Sequence, residues 1–392
     1  MTSAKCNRPC TPTVDQIKVM PPRSPRKPRT VLDAGIVAGA GGGIEKTLVA
    51  GARFHEGAGY RSVLAFVHPP SDPGFETLRA RAAALGVELH DRAETFPFSP
   101  LTVGWLARLC REHRVDIWHG HDYKTDLIGL LLQPMYHFSL VSTLHGWSED
   151  TLRTRLYFAL DRRVIRRYEH VIAVSSTLNA EARRLGVSSE RLSLIENGVD
   201  TDEYRRRSAP RDGTGTLHIG AAGRLTPEKG FLDLITAVEA LLEEGLDVRL
   251  SMAGDGPQRG ALEQRIRASR HAARLALAGY VDDMQAFYAE LDLFCLSSLR
   301  EGMPNVVLEA MAMSLPIVAT SAGGLSTFLR DGNDALLCPP GSPAALADAL
   351  RAAIRSPDLR ARLGQAARIR VEQECSFAQR MQRVFAVYDR LP

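Results

Sequence analysis

The chain has 392 residues, 45% of them hydrophobic and 24% charged, a globular composition whose length makes two domains the expectation. Its net charge of +4 is small for that size, and no basic patch or nucleic-acid reader motif accompanies it, so a nucleic-acid-binding role is set aside. The 6 cysteines are scattered, with Cys110, Cys295 and Cys338 in or beside apolar runs, which suits reduced thiols and a cytoplasmic setting.

Residues 1–28 read as a disordered basic tail: Arg23, Arg26 and Lys27 are followed by Gly-rich sequence and not by the apolar core of a signal peptide. From Thr30 onward short β-branched runs alternate with longer helical patterns, as in parallel strands joined by crossover helices. Strands are expected at 31–37, 61–66, 87–89, 117–119, 139–143 and 171–174, with helices at 43–54, 77–85 and 101–112 among the connections. The longest uncharged run, 127–147, is broken by Pro134 and carries Gln133, His137 and His145, so no transmembrane helix is expected. Residues 204–216 lose apolar periodicity and read as a linker. The strand series restarts at 217–221, 248–253, 275–278, 291–296, 316–320 and 335–338, and a last helix at 377–391 is expected to fold back on the first domain. The expected division is therefore a tail 1–28, an acceptor domain 29–205, a donor domain 206–376 and a closing helix 377–392. Two doubly wound α/β domains place the carboxyl ends of two parallel sheets face to face, and the cleft between them is the expected site.

Two motifs carry chemistry. In the first, Glu301 lies in the loop after the strand at 291–296, and Glu309 sits on a helix that begins near Pro304 or Asn305. The start of that helix offers unpaired N–H groups to a phosphate, and the carboxylates can accept hydrogen bonds from sugar and ribose hydroxyls. In the second, a strand ends in Gly223-Arg224 and Lys229-Gly230 follows. Arg binds a diphosphate through paired N–H groups and Lys adds a point charge. Taken singly, each of these residues reads as well as a solvated loop or helix position.

These segments, with Gly42-Gly43-Ile44-Glu45, His119-Gly120-His121, Leu144-His145-Gly146, Glu196-Asn197-Gly198 and Gly279-Tyr280-Val281, resemble in their order the family 4 retaining glycosyltransferases of group 1 type. The resemblance implies the GT-B fold of two Rossmann-like domains, and transfer of a sugar from a nucleotide diphosphate donor, UDP-sugar being the commonest. By the same resemblance Arg224 and Lys229 neutralise the diphosphate, Glu301 holds the transferred sugar and Glu309 the ribose. Tyr280 and Val281 would lie near the base, with Asn305 and Val306 completing the donor set. Gly42 and Gly43 would let backbone approach the diphosphate or acceptor, although a plain strand-to-helix turn reads equally well. His121 is expected to face the cleft and take part in catalysis, with His145 beside it at the acceptor loop. No metal and no cofactor are expected, since the two cations can take over charge neutralisation.

The chain departs from the family at Met303-Pro304, where Phe often follows Glu-Gly, and at Thr327, where Glu is frequent. The first bears on donor-sugar fit. The segment 152–168, rich in Arg and apolar residues, has two readings: a helix on anionic lipid headgroups, which would suit a lipid-linked acceptor at the inner face of the membrane, or a part-buried helix with a solvated face. The expected partners are thus a nucleotide sugar and a saccharide or glycolipid acceptor. A nucleotide-sugar epimerase, a phosphorylase and a non-catalytic nucleotide-sugar sensor remain as rival functions of the same architecture.

Overall fold

The computed structural model describes residues 27–37, 43–95, 99–146, 152–206 and 215–392. The expected tail up to residue 26, Gly42 and most of the expected linker lie outside these residues.

The first sheet has seven parallel strands: β1 (Arg29–Ile36), β2 (Tyr60–His68), β3 (Leu89–Ala93), β4 (Ile117–Gly120), β5 (Ser139–Leu144), β6 (His170–Ala173) and β7 (Leu192–Leu194). Their order is β3-β2-β1-β4-β5-β6-β7. The second sheet has six: β8 (Leu217–Ala222), β9 (Val248–Ala253), β10 (Leu275–Gly279), β11 (Leu293–Leu296), β12 (Ile317–Thr320) and β13 (Leu336–Cys338), in the order β10-β9-β8-β11-β12-β13. Central strands such as β1, β5 and β12 are buried along almost their whole length, because crossover helices cover both faces of a parallel sheet.

Strand order reverses at β1/β4 in the first sheet and at β8/β11 in the second, which opens a crevice at the carboxyl ends of those strands. Sequence position then dictates what meets there. The Gly43 loop follows β1, His121 follows β4 and His145 follows β5, while Arg224 follows β8, Tyr280 follows β10 and Glu301 follows β11.

Some boundaries differ from the expectation. The third strand runs at Leu89–Ala93 and not at 87–89, its polar run His90-Asp91-Arg92 lying half-buried at the edge of the sheet. Strand β11 starts at Leu293, because Leu291 leaves the ladder to fill the space above Gly220, where a Cβ would lie 2.1 Å from its methyl carbon. The three-residue β7 has too few residues to show a period.

The chain passes between the halves twice, side by side. Val199 N–H donates to Cys375 O at 3.0 Å, and Phe377 N–H donates to Val199 O at 2.9 Å. The Arg368 guanidinium ties this crossing down by donating to the carbonyls of Thr201 (2.8 Å) and Tyr204 (2.7 Å). Beyond it the helix Phe377–Tyr388 buries Phe377, Met381, Val384, Phe385 and Tyr388 against Val31, Ile117, Val141 and Ile172 of the first sheet.

The segment 152–168 forms a helix, Leu152–Val164, and a 3-10 turn, Ile165–Arg167. Val164, Ile165 and Tyr168 sit in the first core, and Tyr157 stacks on Tyr123 with centroids 5.0 Å apart. Of the two readings, this arrangement favours the part-buried helix. Among the described residues no helix is long and apolar enough to cross a membrane. Cys110, Cys295, Cys338 and Cys375 are free and buried.

Candidate active site

A cleft of about 550 Å³ runs between the two sheets and is lined from both sides. On the second-domain wall the loop after β8 holds Arg224, then turns through Pro227–Lys229 to Gly230. Gly230 has φ of +64°, and a Cβ there would lie 2.1 Å from Ser297 O, so this turn requires glycine. Its tightness seats the Lys229 loop on the end of β11, where Ser297 Oγ donates to Lys229 O at 2.9 Å. Lys229 Nζ in turn donates to Glu301 Oε1 at 2.5 Å, and Ser298 Oγ donates to the same oxygen at 2.8 Å. The Glu301 side chain is only 7% exposed. Gly323 (φ +54°) fits under this loop in the same way, since a Cβ would stand 2.0 Å from Glu301 O.

The helix Asn305–Ala312 starts at the cleft with Pro304 as its cap residue, so its first turn, including Val306, forms part of the wall. Glu309 lies one turn deeper and accepts a hydrogen bond from Tyr288 OH at 2.8 Å. Burial pushes the Glu309 carboxyl up, and the Tyr288 bond and the Lys46 charge oppose this without cancelling it. Tyr280 and Val281 line the cleft beside it.

From the first domain, Gly43, Lys46 and His145 reach the same cleft. Gly43 meets the opposite wall directly: Asn305 Nδ2 donates to Gly43 O at 2.9 Å and to Thr47 Oγ1 at 3.0 Å. A Cβ on Gly43 would stand 2.8 Å from that same nitrogen, so the close approach depends on glycine. Lys46 Nζ stands 5.5 Å over the Tyr280 ring, a cation–π distance. Burial lowers its proton affinity, and the Arg81 charge adds to this against the pull of Glu309 and Asp282.

His121 is not in the lining. It lies behind His145, buried, with Nε2 3.1 Å from Asp33 Oδ1 and Nδ1 3.3 Å from His145 Nε2. The strand end that carries it points inward, beneath the loop that carries His145. Asp33 also lies 3.3 Å from His119 Nδ1, and His119 is held by Tyr388 OH (2.6 Å) and Thr143 Oγ1 (2.7 Å). Burial alone would raise the Asp33 carboxyl, but hydrogen bonds from His119 and His121 outweigh it and hold the group below the usual carboxylate range. Burial lowers His121 to about 4, with His119 adding to the effect, and takes His145 well below its ordinary value. Both imidazoles are therefore neutral at pH 7. Hydrogen bonding then fixes the tautomers. An ionised Asp33 only accepts, so His121 Nε2 carries the proton, His121 Nδ1 accepts from His145 Nε2–H, and His145 Nδ1 keeps its lone pair.

The structure thus brings Arg224, Lys229, Tyr280, Val281, Glu301, Asn305, Val306, Glu309, Gly43 and His145 to one cleft and places His121 behind it. Sequence reading missed Asp33, Lys46 and Tyr288, and gave no role to Asn197, which it noted only as part of a matching segment. Asp33 had a signal, a carboxylate inside the apolar run Val31-Leu32-Asp33-Ala34. Asn197 lines the cleft and donates from Nδ2 to Met303 O at 2.9 Å across the domains, which only the fold reveals.

Two doubly wound sheets meeting across such a cleft are the GT-B arrangement. Residues 216–356 match the family described as "Glycosyl transferases group 1", and residues 41–203 match "Glycosyltransferase Family 4". Between them the two matches take in most of the chain, which is a glycosyltransferase of GT-B type similar to the family 4 and group 1 enzymes. It is 29% identical over 334 residues to a glycogen synthase of Mycobacterium tuberculosis, covering 78% of this chain and 79% of that protein. It is 27% identical over 287 residues to a D-inositol 3-phosphate glycosyltransferase of Pseudarthrobacter chlorophenolicus, covering 66% and 67%. Among solved structures, Anabaena Alr3699/HepE in complex with UDP and glucose superposes with a TM-score of 0.79 at 22% identity, over 92% of this chain and 99% of that one.

Proposed function

We propose that the chain transfers a sugar from a nucleotide diphosphate sugar, with UDP as the nucleotide, to a hydroxyl of a saccharide or lipid-linked acceptor, with retention at the anomeric carbon and without a metal. The observation that carries this reading is the contact of Lys229 with Glu301 at 2.5 Å, with Arg224 in the same loop. One carboxylate able to hold sugar hydroxyls is thereby set against two cations able to hold the diphosphate. Glu309, one helical turn deeper, binds the ribose diol, and the Tyr280–Val281 backbone faces the base. His145 Nδ1 accepts a hydrogen bond from a hydroxyl of the reacting sugars, and His121 and Asp33 act through it as positioning residues. Glu301 is engaged by Lys229 and Ser298, so the preferred route is a same-face displacement in which a leaving-phosphate oxygen takes the acceptor proton. A structural neighbour solved in complex with UDP-glucose and a relative named a D-inositol 3-phosphate glycosyltransferase are in keeping with a UDP-sugar donor and a hydroxyl acceptor. The setting is cytoplasmic, at the inner membrane face where the acceptor is lipid-linked.

The test is a thermal-shift screen against nucleoside diphosphates and nucleotide sugars, with and without chelator. UDP and one UDP-sugar are expected to raise the melting temperature, to do so equally under chelation, and to lose the effect in Arg224→Ala. A shift that vanishes with chelator would overturn metal independence, and one equal for all bases would overturn the choice of uridine.

A further inference from the structure

At the start of edge strand β3, away from the cleft, Glu88 and His90 lie two residues apart and so project to the same side of the strand. The helix Pro100–His113 ends beside them, stopped by Arg114 in the left-handed conformation (φ 50°), and its last residue brings a second imidazole to the same place. Glu88 Oε1 is 3.2 Å from His90 Nε2 and 3.6 Å from His113 Nδ1, and the two ring centroids are 5.1 Å apart. One donor atom from each of the three side chains falls within 4.8 Å of the others. Hydrogen bonding explains the first contact but not the second, since 3.6 Å is too long for one. A tetrahedral zinc-type ion with bonds of about 2.0–2.2 Å holds its ligand atoms roughly 3.3–3.6 Å apart, close to the two distances from Glu88 Oε1.

The surroundings fit the same chemistry. Arg61 NH2 donates to Glu88 Oε2 at 2.8 Å, which leaves Oε1 turned toward both imidazoles, as outer-shell partners of ligating carboxylates do. The side chains are 35%, 32% and 12% exposed in the order Glu88, His90, His113, which leaves solvent access for the ion and for a fourth, water ligand. The buried trio Asp33, His119 and His121 has similar spacing, but both nitrogens of each imidazole already lie within hydrogen-bond reach of protein partners.

We propose that Glu88, His90 and His113 form a binding site for a divalent zinc-type cation, remote from the transferase cleft, that staples the edge of the first sheet to the end of the helix Pro100–His113. The test uses the full chain without a histidine tag and with Cys6→Ser and Cys10→Ser, so that tail thiols do not compete. Cobalt(II) is titrated and followed by the visible absorption of a tetrahedral centre, and zinc is then used to displace it. One equivalent is expected to bind, and His90→Ala and His113→Ala should each weaken binding by at least about tenfold. Zinc should raise the melting temperature of the parent and not of either variant. Absence of the tetrahedral band would overturn the proposal. So would unchanged binding in both variants, or binding lost only in His121→Gln, which would put the ion on the buried trio.

Discussion

The buried imidazole behind the cleft makes a quantitative prediction about acid stability. His121 titrates at about 4 in the folded chain, against about 6.5 for an imidazole in an unfolded one. Above pH 6.5 neither state holds the proton and the group is neutral toward stability. As the pH falls below 6.5 the unfolded chain binds a proton that the folded chain refuses, so stability declines until the pH passes the folded value. At about 1.4 kcal/mol for each pKa unit, His121 alone costs about 2 kcal/mol by pH 5 and about 3 kcal/mol by pH 4. Other depressed histidines, such as His145 and His170, steepen the total, so the assay has to be a difference. His121→Gln keeps a donor toward Asp33 and removes the titration. Urea unfolding of both proteins at pH 7.5 and pH 5.0 gives the measurement, with the parent expected to lose about 2 kcal/mol more than the variant across that interval. Equal losses would mean that His121 carries its proton inside the fold, and the neutral Asp33–His121–His145 arrangement would then be wrong.

Lys229→Ala and Glu301→Gln should each lower kcat by about 10²–10³-fold with little change in the urea midpoint; a loss confined to KM would make these groups binding residues only. Gly230→Ala faces both a positive φ and the Ser297 carbonyl, and should destabilise the fold by about 1–3 kcal/mol or more, whereas an unchanged melting temperature would show that the loop relaxes freely. Asn305→Ala removes the direct bonds to Gly43 and Thr47 and should raise KM for the donor more than it lowers kcat; steady-state kinetics at saturating acceptor decides. Tyr288→Phe deletes the bond that restrains the raised Glu309 carboxyl. Its proton affinity then rises further, and the loss of donor affinity on acidification should begin at higher pH than in the parent.

Much of this was legible in the residues. Alternating apolar runs gave both sheets, because a strand buried on two faces must be apolar nearly throughout, as Val318 and its neighbours in β12 are. Glu301, Arg224 and Lys229 were legible because loops at the carboxyl ends of parallel strands are where ligand-binding groups gather in such a fold, although the Glu301 side chain is itself nearly buried. His121 was misplaced because sequence gives the strand that a loop follows but not its depth, and at the first residue after β4 the chain still points into the core. Lys46 and Asn197 escaped because their importance comes from the opposite domain, through Tyr280 and Met303. The edge strand β3 was displaced for a similar reason, its half-polar sequence carrying no period to fix the register.

The return of the helix Phe377–Tyr388 to the first sheet also sets an order of events during synthesis. The ribosome releases the first seven strands long before it releases the residues that cover Val31, Ile117, Val141 and Ile172. Until the helix Phe377–Tyr388 is made, those four residues lack their cover, and His119 has no Tyr388 hydroxyl to hold it. The second domain, whose strands and covering helices run from residue 217 to 374, takes little from outside that span to close its core: Val199, Tyr204 and Cys375. The second half therefore depends less on distant residues than the first, and a released chain cut short before Phe377 would present a nearly complete second domain beside a partly uncovered, aggregation-prone sheet.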